Sequence, residues 1–285
     1  MWMMMMMSRF NRLIQPTMHD AFRGPAFLTK ILRQYHSNGI DPTKPLSIIN
    51  PWVVKEPREA TLMSDLSTTR EILGPGMILL RNFISVKNQV DLVKLCEKWG
   101  LGPGGFYIPR DRNGEKLRLQ MMSFGRNWDP VTKYEKPFRS DGSKPPPLPF
   151  ELISLAESAI QDAQAHLDGL PSMHPDICVV NFYSPVYGRL GLHQDCDESS
   201  ESLQRGLPVV SMSIGDSAEF LYGHTRDASK LESLYLESGD VLIFGGKSRL
   251  IFHGVNRVYP HTSPQEFIDQ IALKPGRLNL TFRQI

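Results

Sequence analysis

A chain of 285 residues with 41% hydrophobic and 22% charged side chains has the make-up of a globular protein with a sizeable core, which argues against a disordered or fibrous one. Its net charge of +2 excludes a uniformly basic or acidic surface, so any nucleic-acid contact must be local. Three cysteines (Cys96, Cys178 and Cys196) without framework spacing suit a reducing compartment, and no apolar run approaches the ~20 residues that span a bilayer, so no membrane partner is expected.

The chain opens on the low-complexity "MWMMMMM". Residues 8–37 then carry Arg9, Arg12, Arg23, Lys30 and Arg33 against a single acid, Asp20, a bias shared by organellar transit peptides and by solvated basic tails. Residues 38–75 are rich in Pro, Ser and Thr, so 1–75 reads as a loop-rich extension. "GMILLRNFI" at 76–84 reads as a strand, followed by a helix capped by Ser85, with Val86, Leu92, Val93, Cys96 and Trp99 at helical spacing and Gly100 as its stop. Residues 101–149 are rich in Gly and Pro and hold nine basic and five acidic residues, a local +4 that marks either a phosphate-facing loop or an ordinary solvated one. A helix over about 150–168 puts Leu152, Leu155, Ala156, Ala159, Ala163 and Leu167 on one side. From "DICVVNFY" to "RLNLTFRQ" the pattern becomes short β-branched and aromatic runs separated by turns, which predicts a β-sandwich with the helices of the N-terminal half on its outside, an α+β fold.

Within "GLHQDCDES", His193 and Asp195 lie two apart, which on an extended segment aims both to one face. His253, in the strand-like "RLIFHGV", offers a third donor. Two histidines and a carboxylate on rigid strands form the facial triad that suits Fe(II) and leaves positions open, whereas a structural zinc site wants four ligands and Cys196 points to the opposite face. By itself HxD is short enough to occur by chance. The last strand adds weight: Arg277, Asn279, Thr281 and Arg283 share one face of "RLNLTFR", and inward arginines need anions such as the two carboxylates of 2-oxoglutarate, unless that face is a wet edge.

Taken together, "NFYSPVYGRLGLHQDCDE", "PVVSMSIGDSAEFLYG", "SGDVLIFGGKSRLIFHGV" and "RLNLTFRQ" resemble the AlkB family of Fe(II)- and 2-oxoglutarate-dependent nucleic-acid dioxygenases, from about residue 120 to the C-terminus. The resemblance implies a double-stranded β-helix (jelly-roll) domain over 76–285 with a nucleotide-binding lid at about 101–149. It implies His193, Asp195 and His253 as iron ligands; Arg277, Asn279 and Tyr183 for the distal carboxylate of 2-oxoglutarate; and Arg283 and Asn181 for the end that chelates iron. Trp128, Tyr134, Asp197, Glu198 and Arg226 would meet the substrate base or its strand. The implied reaction is oxidative demethylation of N-methylated bases in DNA or RNA, releasing formaldehyde, succinate and CO2. Its rivals are an oxygenase acting on protein or a small molecule, whose turnover would lack the salt dependence of phosphate contacts, and a binding module without turnover. A monomer in nucleus or cytoplasm is expected, with mitochondrion or chloroplast open through the basic start.

Overall fold

The computed structural model describes residues 68–271 and 275–285; the low-complexity start, the basic run and most of the extension read at 1–75 lie outside the described residues. Two antiparallel sheets dominate. The larger sheet runs in the order β1 (Thr69–Gly74), β2 (Met77–Arg81), β9 (Val241–Phe244), β6 (Val209–Gly215), β11 (Arg277–Arg283), β4 (Ile177–Tyr183), β3 (Gln120–Phe124), and the smaller one β5 (Leu190–His193), β10 (Phe252–Val258), β7 (Ala218–Gly223), β8 (Glu232–Leu236). The helices are α1 (Val86–Gly100), α2 (Phe150–Gln164), α3 (Ser200–Gln204) and α4 (Gln265–Gln270).

Period-2 alternation divides the larger sheet's side chains between two cores. Cys178, Val180 and Phe182 of β4, Val210, Met212 and Ile214 of β6, and Leu278, Leu280 and Phe282 of β11 pack with Val90, Val93 and Cys96 of α1 and with Leu152, Ala156, Ala159 and Ala163 of α2. Their neighbours on the opposite face, Ile177, Val179, Tyr183 and Val209, meet Phe220, Tyr222 and Val255 of the smaller sheet. Each fully buried Val-, Leu- or Phe-sized side chain contributes roughly 1.5–3 kcal/mol of transfer free energy, so both faces of the sheet are strongly specified.

Three expectations need correction. The extension does not end at residue 75, because Thr69–Gly74 is already an edge strand registered on β2, with Thr69 opposite Arg81; its outward polar residues hide it among loop-like neighbours. The segment 101–149 is not all lid: "QMMSF" inside it is an edge strand paired with β4, and all five of its residues are buried. The second helix stops at Gln164, although Leu167 beyond it still reaches the core.

Candidate active site

β5 ends on His193, which lies directly opposite His253 of β10. Close strand approach is possible because residue 254 is glycine: a Cβ there would stand 2.6 Å from the Leu190 carbonyl oxygen. Asp195 lies just past the end of β5, not within it as a two-residue strand spacing implied, and it still converges on the histidines. Its Oδ1 is 3.8 Å from His193 Nε2 and its Oδ2 is 3.8 Å from His253 Nε2, and one ligand atom from each of the three lies within 4.8 Å of the others. Each imidazole directs Nδ1 at a backbone carbonyl, His193 at Gly191 (2.9 Å) and His253 at Ile251 (3.2 Å). That contact places the proton on Nδ1 and leaves Nε2 as the donor facing Asp195. Burial, reinforced by His193, lowers His253 to about 4, so its imidazole is neutral near pH 7. Burial alone would raise Asp195; the positive charge of Arg283 is foremost in holding it well below the usual carboxylate range.

Beside this cluster lie the polar residues of β11. Arg277 is 1% exposed, donates from Nη2 to Ser213 Oγ at 2.9 Å, and has no hydrogen-bond partner for Nε or Nη1 among the described residues. Its guanidinium carbon stands 5.7 Å from the centre of the Tyr183 ring, across the β4–β11 register. Burial lowers this arginine to about 10. Arg283 donates from Nη1 to Asp195 Oδ1 (3.2 Å) and Glu198 Oε1 (3.1 Å), while its buried Nε has no hydrogen-bond partner among the described residues. A desolvated N–H left unmatched costs on the order of 1–3 kcal/mol, more on a cation, and such donors persist where an anionic ligand completes them. Asn279 differs: its Nδ2 donates to Ser211 Oγ and the Met212 carbonyl while its Oδ1 accepts from Thr281, so its amide is engaged within the sheet. Asn181 is buried opposite Asn279 in the register.

The segment between β3 and α2 reaches this centre at two points. Trp128 Nε1 donates to Asp197 Oδ2 at 2.9 Å, and Tyr134 is buried with a hydroxyl lacking a hydrogen-bond partner among the described residues, within electrostatic reach of Arg283 and Glu198. The other oxygen of Asp197 lies 3.7 Å from both Arg112 and Lys133, beyond hydrogen-bond distance. Glu198 does not present itself to a base. Its side chain is fully buried and both oxygens are taken, Oε1 by Arg283 and Oε2 by Arg249 Nη2 at 2.9 Å. Arg226 is exposed, its guanidinium carbon 5.1 Å from the centre of the Phe252 ring, next to His253. Arg249 was not anticipated. It is buried and also donates to the carbonyls of Asp195 and Leu207. Its place in "GGKSRLIFHGV", four positions before His253, was the available signal.

A two-sheet antiparallel core carrying a His-Asp-His cluster and buried arginines defines the jelly-roll type of metal-dependent, keto-acid-dependent oxygenase. The 2OG-Fe(II) oxygenase superfamily matches residues 76–283. The chain is 37% identical over 227 residues to the alpha-ketoglutarate-dependent dioxygenase AlkB of Escherichia coli, covering 78% of this chain and 96% of that protein. It is 50% identical over 245 residues to the DNA N(6)-methyladenine demethylase ALKBH1D of Arabidopsis thaliana, covering 82% of this chain and 55% of that protein. The solved structure of OsALKBH1 superposes with a TM-score of 0.71 at 51% identity, covering 76% of this chain and all of that one. This chain belongs to the AlkB family of 2OG-Fe(II) oxygenases. It spans about half the length of the curated relative from Arabidopsis. Fe(II) and 2-oxoglutarate are the cofactors of the family, and both donor sets fit: three N and O ligands leave positions open for a chelating acid, and the unpartnered guanidinium donors suit carboxylates.

Proposed function

We propose that this chain oxidatively demethylates N-methylated bases in DNA or RNA. His193, Asp195 and His253 hold the iron, Arg277 takes the distal carboxylate of 2-oxoglutarate with Tyr183 beneath it, and Arg283 with Asn181 receives the end nearer the metal. Asn279 aligns this face through Ser211. When bound, iron and 2-oxoglutarate supply oxidation of the methyl carbon by dioxygen, with decarboxylation of the keto acid to succinate and later loss of formaldehyde. The protein's own work is positioning and exclusion of water. A neutral His253 and an ionised Asp195 need no proton removed before they ligate. A base inside a duplex cannot reach a buried centre, so it is flipped out or taken from a single strand and stacks on Trp128. Asp197, already oriented by Trp128, faces its positive charge, and Tyr134 and Arg226 meet the same nucleotide or its strand.

The observation that carries this reading is the docking of a lid tryptophan on an acid two residues from a ligand position. We read the sheets as a double-stranded β-helix with α1 and α2 as its outer layer, and the protein as a monomer. Free thiols at Cys96, Cys178 and Cys196 support a nuclear or cytoplasmic setting. The test supplies purified protein with Fe(II), ascorbate, 2-oxoglutarate and methylated oligonucleotides of both sugar types, beginning with N6-methyladenine because of the Arabidopsis relative's name. Formaldehyde and succinate in equal amounts are expected. Folded, iron-loaded protein that yields neither on any of them overturns the proposal.

A further inference from the structure

We propose that Glu198, clamped by Arg249, shares Arg283 with Asp195, keeps that guanidinium from engaging Asp195 bidentately, and thereby keeps the Asp195 carboxylate available to the metal. The inference rests on the metal site proposed above and not on the substrate. Arg283 Nη1 is shared almost equally, 3.2 Å from Asp195 Oδ1 and 3.1 Å from Glu198 Oε1. A guanidinium with one carboxylate within reach settles on it bidentately. Without Glu198 that carboxylate is Asp195, and the lone pairs the metal needs are then occupied by N–H groups. Arg249 fixes the acid in turn: its Nη2 binds Glu198 Oε2 at 2.9 Å, and it donates to the backbone carbonyl of Asp195 itself and to that of Leu207 at 2.7 Å. The four charges, two acids and two arginines, cancel. Removing the charge of Glu198 leaves one uncompensated positive charge beside a site for a divalent cation, so repulsion and competition act in the same direction. Two neighbouring acids therefore do different work, Asp197 toward the lid and Glu198 inward as a positioning residue.

The test titrates Mn(II) alone into the full chain and reads free Mn(II) by electron paramagnetic resonance. Outer-shell partners of ligands typically govern 10–100-fold in metal affinity, so Glu198→Gln is expected to raise the dissociation constant about tenfold, and Glu198→Asp, which restores the charge, to recover most of that loss. Arg283→Met, which removes the competitor and a positive charge, is expected to bind Mn(II) more tightly than wild type. Affinity of Glu198→Gln for a methylated oligonucleotide, read by fluorescence anisotropy, stays within about twofold of wild type, because both Glu198 oxygens are engaged by Arg249 and Arg283 and neither is offered to a base. Unchanged Mn(II) affinity in Glu198→Gln, a Glu198→Asp as weak as Glu198→Gln, or loss of oligonucleotide binding with intact metal binding each overturns the proposal. If circular dichroism finds Glu198→Gln unfolded, Arg283→Met decides: tighter binding supports the proposal, and equal or weaker binding overturns it. Wild-type protein that binds Mn(II) yet releases no formaldehyde removes the demethylase reading and leaves this comparison standing.

Discussion

Arg277 shows how one buried side chain defines a ligand. Its charge lies under a sheet with one hydroxyl and one ring for company, and two of its nitrogens have no hydrogen-bond partner. A desolvated cation left this way is costly unless an anion enters. Arg277→Lys keeps the charge and loses the planar fork, so the Michaelis constant for 2-oxoglutarate is expected to rise about 10- to 100-fold, on the order of 1.4–2.8 kcal/mol, with Mn(II) affinity unchanged. Steady-state kinetics with varied 2-oxoglutarate check this, and an unchanged constant would place the keto acid elsewhere. The arginines of β11 were readable in advance because alternation put them on one face of a short strand. Glu198 and Arg249 were not: 51 residues separate them, and nothing local tells an acid that faces a base from one that faces a buried guanidinium.

Among the elements, α1 was readable to its first residue, since Ser85 precedes an apolar stripe and its Oγ accepts from the Asn88 N–H at 3.3 Å. Ser85→Ala is expected to lower unfolding free energy by about 1 kcal/mol in urea denaturation without altering turnover, the usual loss for an N-cap hydroxyl. β1 and β3 were missed for opposite reasons. Polar residues face outward from the first, so it carries little hydrophobic signal, whereas the second is buried on both faces but embedded in Gly- and Pro-rich chain that reads as loop. Between β3 and α2 the proposed lid is best tested at Trp128. Trp128→Ala removes both a stacking surface and the donor that orients Asp197, so oligonucleotide affinity should fall by about 1–3 kcal/mol in an anisotropy titration while affinity for 2-oxoglutarate holds. Equal loss of both affinities would instead make Trp128 a core residue, consistent with its packing against the inter-sheet cluster.

The molecule as a whole divides the chemistry between its two sheets. His193 and His253 belong to the smaller sheet, Arg277 and Arg283 to the centre of the larger one, and Asp195 to the loop after β5, where it touches both sets. Apolar contacts between the sheets, such as Phe220 and Val255 with Val179 and Tyr183, hold them together without ligands, but the polar face of β11 contributes unmatched donors to the same interface. On the proposed assignment, metal and 2-oxoglutarate would therefore act as links between layers as well as reactants. A ligand that binds only the folded state at about 100 times its dissociation constant adds about 2.7 kcal/mol, which for a domain of this size raises the melting temperature by roughly 5–10 °C. Mn(II) with 2-oxoglutarate should produce such a rise in a calorimetric scan, EDTA should reverse it, and Mn(II) alone should give only part of it, because the donors of Arg277 stay unmatched until the keto acid arrives. A full rise with metal alone would mean that the arginines of β11 do not take part in the link.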